Sequence, residues 1–270
     1  MGTEKEGVLP LITAHTGCED SPVNTVASMY RGVRSGADAV EIDVRSTAEG
    51  AVILMHDDFV VNLQGRRIPL KKLRLEELLE LDKNGQIHHP HPEMRITRLE
   101  EALEAAGSFR SIVNLDLKDD RSIPALCRAV ERYDLLERTI VTGCDAARAG
   151  KVKAECPDIQ VLLNVGAAGA AAAGEAVLLG REDAPDSICR GAVGACCGGI
   201  NIEFTMCRKG LVDYARRRYL PVSVWTVDRE EDMRTMIALG VSSITTCQPA
   251  RLRQVLTTVS FVLTFFRDTK

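Results

Sequence analysis

The sequence predicts a single closed barrel of eight parallel β-strands with helices outside it, a (β/α)8 barrel, carrying an antiparallel hairpin after the second strand and a short insertion at residues 57–98. Three observations lead there. Short β-branched runs alternate with helical stretches along nearly the whole chain, the pattern of repeated βα units and a parallel sheet. The strand candidates are nearly continuous apolar runs, as in strands covered on both faces. Nine candidates exceed a closed eight-stranded barrel by one, yet only six residues, Arg45 to Gly50, join the second to the third. A parallel crossover needs about a dozen residues or more, so the third candidate returns antiparallel and eight parallel strands remain.

Leu9–His15 opens the series. A helix follows over Asn24–Ser35, with Ser21 as its expected cap and Pro22 behind it. Ala39–Val44 and Ala51–His56 are the second strand and its returning arm, turning near Glu49-Gly50. Residues 57–98 hold no barrel strand, only a short helix over Leu75–Leu81 and the segment HHPHPEM, and read as an insertion on the catalytic face. Helices at Leu99–Ala106, Ser122–Tyr133 and Ala146–Glu155 alternate with strands at Ser111–Lys118, Thr139–Thr142 and Gln160–Val165. The Ala/Gly-rich Gly166–Gly180 reads as loop and helix. Strands at Gly199–Phe204, Val222–Val227 and Ser242–Thr246 complete the barrel around helices at Cys207–Tyr219 and Glu230–Leu239. The apolar run Thr257 to Phe266 is the end of a last helix. Without an internal repeat or linker, residues 1–270 read as one domain.

Composition limits the function. The chain has 45% hydrophobic and 27% charged residues, a net charge of −4 and 4% aromatics. Such a chain builds a sizeable core, and it lacks both the basic balance and the stacking rings of a nucleic-acid binder. No run approaches the ~20 apolar residues of a membrane span, and the first residues form no signal peptide or membrane anchor. Nine scattered cysteines without CxxC spacing read as reduced thiols of a cytoplasmic protein. The oligomeric state stays open.

Barrel enzymes place their chemistry at the carboxyl ends of the strands. Here those ends read AHTG, EID and NLDLK. Residues two apart share a strand face, so Glu41 and Asp43 point one way, as do Asn114, Asp116 and Lys118. If the hairpin turns on Glu49-Gly50, Asp43 lies opposite His56. One cluster would then hold Glu41, Asp43, Asp116, His15, His56 and Lys118. Three carboxylates without cysteine or histidine ligand spacing suit one hard divalent cation, Mg²⁺ or Ca²⁺. The histidines are left for proton transfer, and a metal beside a lysine suits a phosphate ester.

The ordered segments AHTG, PVNT, GADAVEIDV, VILMHDD and NLDLK, followed by SVWTVDREEDMRTMIALGVSSITTCQPARL, resemble the glycerophosphodiester phosphodiesterase family from about Leu11 to Leu252. The resemblance implies a metal-dependent TIM-barrel enzyme releasing an alcohol and glycerol 3-phosphate from a small glycerophosphodiester. It implies metal ligands at Glu41, Asp43 and Asp116, acid/base roles for His15 and His56, and phosphate contact by Lys118. It also implies that Trp225 borders the glycerol and that Thr16 stands where the family carries a phosphate-binding arginine. Val23 and Cys247 likewise stand where acidic residues are usual. A lysophospholipase D or cyclising phospholipase on a related barrel, and a degenerate barrel binding a phosphorylated ligand, are the alternatives. Outside the cluster, His88, His89 and His91 read as a solvated loop. Asn201 and Glu203 share one face of their strand, and Lys71, Lys72 and Arg74 form a solvated helix start.

Overall fold

The computed structural model describes residues 9–166 and 184–268, with side chains to 259. Its elements run β1 (Leu11–Ala14), α1 (Val26–Arg34), β2 (Ala39–Ser46), β3 (Val52–Leu54), β4 (Phe59–Val61), β5 (Arg67–Pro69), α2 (Leu75–Lys83), α3 (Leu99–Ala106), β6 (Ile112–Leu117) and α4 (Ile123–Arg132). Then come β7 (Thr139–Cys144), α5 (Ala146–Glu155), β8 (Gln160–Val165), α6 (Ala184–Gly194), β9 (Gly199–Glu203), α7 (Lys209–Arg217), β10 (Val222–Trp225), α8 (Glu230–Leu239), β11 (Ser243–Thr246) and α9 (Pro249–Asp268). Most of the Ala/Gly-rich stretch expected to be loop and helix lies outside the described residues. No helix of the described residues is long and apolar enough to cross a membrane.

Eight parallel strands pair in the order β1-β2-β6-β7-β8-β9-β10-β11, and β11 pairs back with β1, closing the barrel. Alternation divides each strand between two environments. Ile12, Val40, Ile42, Val113, Leu115, Val141, Ile200, Val224 and Ile244 are fully buried in one cluster with the helices. The intervening residues face the interior, and many are polar: Thr13, Glu41, Asn114, Thr142, Asn164, Asn201 and Thr245. Polar groups inside a barrel need partners. Thr13 Oγ1 meets Ser243 Oγ at 2.9 Å, and Thr142 Oγ1 donates to Asn114 Oδ1 at 2.9 Å.

Three details correct the sequence reading. Thr25, not Ser21, caps α1, its side chain accepting from the Ser28 N–H. Ser21 instead donates to the Cys18 carbonyl at 2.6 Å. Residues 57–98 contain more than a helix: β4 and β5 form a separate antiparallel hairpin. With α2 it closes its own apolar cluster of Ile53, Val60, Leu70, Leu78, Ile87 and Ile96. The Ala48 N–H bonds the Leu73 carbonyl at 2.8 Å, tying this insertion to the tip of the β2–β3 arm. Finally, β2 and β3 pair as Val44 with Leu54, Arg45 with Ile53 and Ser46 with Val52. That register places Met55, not His56, beside Asp43, with the Met55 N–H on the Asp43 carbonyl at 3.0 Å. An odd loop of 47–51 takes one residue more than a symmetric turn on Glu49-Gly50, and a one-residue shift changes every cross-strand partner.

Candidate active site

The parallel β2–β6 register sets Asp43 directly beside Asp116 and Glu41 beside Asn114. Glu41, Asp43 and Asp116 each bring a carboxylate oxygen within 4.8 Å of the others. Glu41 and Asp43 are 5% and 3% exposed, so water does little to screen them from one another. Lys118 reaches in from the end of β6, its Nζ 2.6 Å from Asp116 and 2.9 Å from Asp43. Burial would depress this lysine, but the Asp116 and Asp43 carboxylates outweigh it and raise its pKa, keeping the ammonium charged. One cation does not balance three carboxylates. Burial first, then the Asp43 and Asp116 charges, hold the Glu41 carboxyl well above its ordinary range. A hard divalent cation fits this all-oxygen donor set, since it would neutralise the carboxylates where Lys118 alone falls short.

In the metal-free chain the folded state holds the Glu41 proton more tightly than the unfolded state. That contribution is full below the ordinary value of 4.5 and is lost as pH rises through the raised folded value. A cation competes with the same proton. The rise in Tm on adding excess Ca²⁺ should therefore grow from pH 5 to pH 8, as thermal unfolding with and without Ca²⁺ can measure.

His15 lies at the end of β1 with its Nε2 3.9 Å from Glu41 Oε2. Its Nδ1 is 2.8 Å from the Thr16 carbonyl, an acceptor only, so Nδ1 carries the hydrogen and Nε2 is the nitrogen left for chemistry. Burial lowers the His15 pKa. The Cys247 thiol, whose sulfur lies 3.8 Å from Nδ1, the Thr16 carbonyl and Asp43 together outweigh burial, and the pKa ends above 6.5. His56 also lines the cleft, held by Asp57 at 2.9 Å, but its side chain is 67% exposed and sits on the insertion side. The cleft, 520 Å³ in volume, is lined by His15, Glu41, His56, Asp116, Lys118 and Trp225, with Asn114, Thr142, Asn164 and Asn201 among the polar residues around them.

Thr16 is buried and is not among the lining residues. Its hydroxyl accepts the Asn24 N–H at 2.5 Å, while its own N–H bonds Glu41 Oε2 at 3.0 Å. The three loop histidines do not gather around one point among the described residues. His89 pairs with the buried Asp82 at 2.5 Å, whose other oxygen accepts the Ile96 N–H at 2.7 Å, so it braces the insertion instead of facing solvent. Asn201 faces the cleft, with its Nδ2 3.3 Å from Asn164 Oδ1.

Two residues were not singled out from the sequence. Asn24 grips Asp43 twice, Nδ2 donating to Asp43 Oδ2 at 2.8 Å and Oδ1 accepting the Asp43 N–H at 3.0 Å. Its φ of 55° is a left-handed conformation that asparagine tolerates. The signal was the PVNT segment, whose Asn24 reads as the first residue of a helix until the fold turns it towards β2. Outer-shell partners of this kind typically contribute 10–100-fold to metal affinity. Asn24→Ala should weaken Ca²⁺ or Mg²⁺ binding by about that factor, read by calorimetric titration. The other missed residue is Arg148, which lines the cleft from α5.

Fold and site together define a (β/α)8 enzyme barrel with a carboxylate centre suited to a hard cation at the carboxyl ends of its strands. The Glycerophosphoryl diester phosphodiesterase family matches residues 15–251, and the chain belongs to that family. A glycerophosphodiester phosphodiesterase of Caldanaerobacter subterraneus subsp. tengcongensis is 27% identical over 248 residues, covering 90% of this chain and 96% of that protein. Among solved structures, an Oleispira antarctica phosphodiesterase in complex with the product sn-glycerol-3-phosphate superposes with a TM-score of 0.73 at 20% identity, covering 92% of this chain and 97% of the other. A glycerophosphodiester phosphodiesterase of Parabacteroides distasonis gives 0.71 at 21%, covering 93% and 98%. At these identities the two structures show the shared fold.

Proposed function

We propose that this chain hydrolyses glycerophosphodiesters to an alcohol and glycerol 3-phosphate, acting as a single cytoplasmic domain over residues 1–270. The convergence of Glu41, Asp43 and Asp116 within 4.8 Å, with His15 beside Glu41, carries this reading. These three carboxylates would hold one Mg²⁺ or Ca²⁺, which when bound supplies positive charge to the phosphoryl oxygen and the attacking hydroxyl. His15 Nε2 and His56 divide the proton transfers, one taking the hydroxyl proton and the other protonating the leaving alkoxide. Lys118 places its ammonium on the phosphate side of the centre. Trp225 borders the glycerol, and Thr16 holds Glu41 in place through its N–H.

The test is release of choline from glycerophosphocholine by the full chain. Turnover should vanish after exhaustive chelation and return with Mg²⁺ or Ca²⁺; activity that survives chelation would remove the cation from the reaction. A lysolipid assayed beside it separates the lysophospholipase D alternative. A chain that binds sn-glycerol 3-phosphate but turns over neither substrate is the degenerate barrel.

A further inference from the structure

Among the described residues two permanent cations line the cleft, Lys118 and Arg148, and they are engaged very differently. Lys118 is committed to two carboxylates of the centre, at 2.6 and 2.9 Å. Arg148 is the third residue of α5, its own N–H capped by Asp145 Oδ1 at 2.8 Å. Its Nε donates to Asp120 Oδ1 at 2.6 Å, and its Nη1 donates to the carbonyls of Leu117 at 2.9 Å and Gly143 at 2.7 Å. A guanidinium has five N–H donors in a rigid fork. Three are tied back to the protein, and among the described residues no acceptor lies on Nη2. The side chain is 27% exposed.

The anchors place this guanidinium near the carboxylate centre, on the wall of the cleft. Leu117 follows Asp116 in the chain, and Gly143 abuts Asp116 so closely that a Cβ there would collide with Asp116 Oδ1 and stand 2.5 Å from the Leu117 carbonyl. Asp120 does not fully neutralise Arg148, because it also takes Lys151 Nζ at 2.5 Å. The guanidinium plane is thus fixed before any ligand arrives, and little rotamer freedom remains to be lost on binding. No other arginine of the described residues lines this cleft, and the hydroxyl of Thr16 is already occupied by Asn24.

We propose that Arg148 is a further substrate-binding residue of this cleft, its free Nη2 edge receiving an anionic oxygen of the bound phosphodiester. This rests on the phosphodiesterase reading above. The oxygen belongs either to the phosphate or to an acidic head group, and the recognising chemistry is the same.

The experiment compares the wild-type chain with Arg148→Gln and Asp120→Asn, all loaded with Ca²⁺. It reads the Kd of sn-glycerol 3-phosphate by calorimetry, steady-state rates on glycerophosphocholine and glycerophosphoserine, and Tm. Loss of a charge-assisted contact is expected to raise KM in Arg148→Gln about ten- to hundredfold with kcat changed far less. A rise on both diesters, with the Kd of glycerol 3-phosphate raised alike, places the contact on the phosphate. A rise confined to glycerophosphoserine places it on the head-group carboxylate. Asp120→Asn keeps the guanidinium and an acceptor for Nε, so its values should stay near those of the wild type. Unchanged KM and Kd in Arg148→Gln with a lowered Tm would overturn the proposal, as would Asp120→Asn matching the loss. If Arg148→Gln does not fold, Arg148→Lys keeps the charge without the fork, and an unaltered KM and Kd there would equally overturn it. A wild-type chain that binds glycerol 3-phosphate but cleaves no diester sinks the phosphodiesterase reading alone, with the Kd comparison still deciding Arg148. A wild-type chain that binds no glycerol 3-phosphate sinks both.

Discussion

Asp43→Asn is expected to lower kcat/KM on glycerophosphodiesters by on the order of 10³-fold, while the barrel still folds. The carboxylate serves three neighbours at once. Its Oδ2 accepts Asn24 Nδ2 at 2.8 Å, its Oδ1 faces Lys118 at 2.9 Å, and it stands in the group that would hold the cation. An amide of the same shape has one acceptor oxygen and turns an NH2 donor towards either the Asn24 amide or the Lys118 ammonium, so one donor always faces another. Polarisation by a bound ion contributes several kcal/mol to a transition state, and each ~1.4 kcal/mol is tenfold in rate. A loss of roughly 4 kcal/mol therefore gives the stated factor. The check is steady-state kinetics beside thermal unfolding. The Asp43→Asn variant should keep a cooperative transition, but its Tm should no longer rise with Ca²⁺. Full activity with an intact Ca²⁺ response would show that the centre does not use this carboxylate.

His15→Ala is expected to lower kcat by about 10²–10⁴-fold, the usual range for a general acid or base, with cation affinity kept. The two effects separate because His15 stands beside the carboxylates, with Nε2 3.9 Å from Glu41, and is not among the three that converge. Its Nδ1 is fixed by the Thr16 carbonyl at 2.8 Å, which aims the other nitrogen at the cleft. Calorimetric titration of Ca²⁺ on the variant should match the wild type while the rate falls. A rate within a few-fold of wild type would remove His15 from proton transfer and leave His56, open to solvent on the insertion side, as the remaining imidazole.

Much of this centre is legible in the sequence. Glu41 and Asp43, like Asn114, Asp116 and Lys118, are two apart on strands, and strand alternation alone puts them on one face. The closing of eight parallel strands followed from an arithmetic of crossover lengths, because six residues cannot carry a parallel return. Features resting on a single turn were less legible. The β2–β3 loop takes five residues, and the resulting one-residue shift puts Met55 opposite Asp43. His56 reaches the cleft anyway, because β3 ends at Leu54 and the chain beyond it is released from strand alternation. The small β4–β5 hairpin escaped notice because strands of three residues carry too little periodicity to register.

What the sequence determined by itself was local and periodic: which residues alternate, which runs are buried on both faces, and which acidic side chains share a strand face. What only the tertiary structure decided was contact between segments far apart in the chain. Asn24 meets Asp43 across 19 positions, Arg148 meets Leu117 across 31, and Cys247 meets His15 across 232. No periodicity encodes such pairs. They depend on the circular order of strands and on where each loop leaves the barrel rim, and these are settled only when β11 hydrogen-bonds to β1 and the sheet closes on itself.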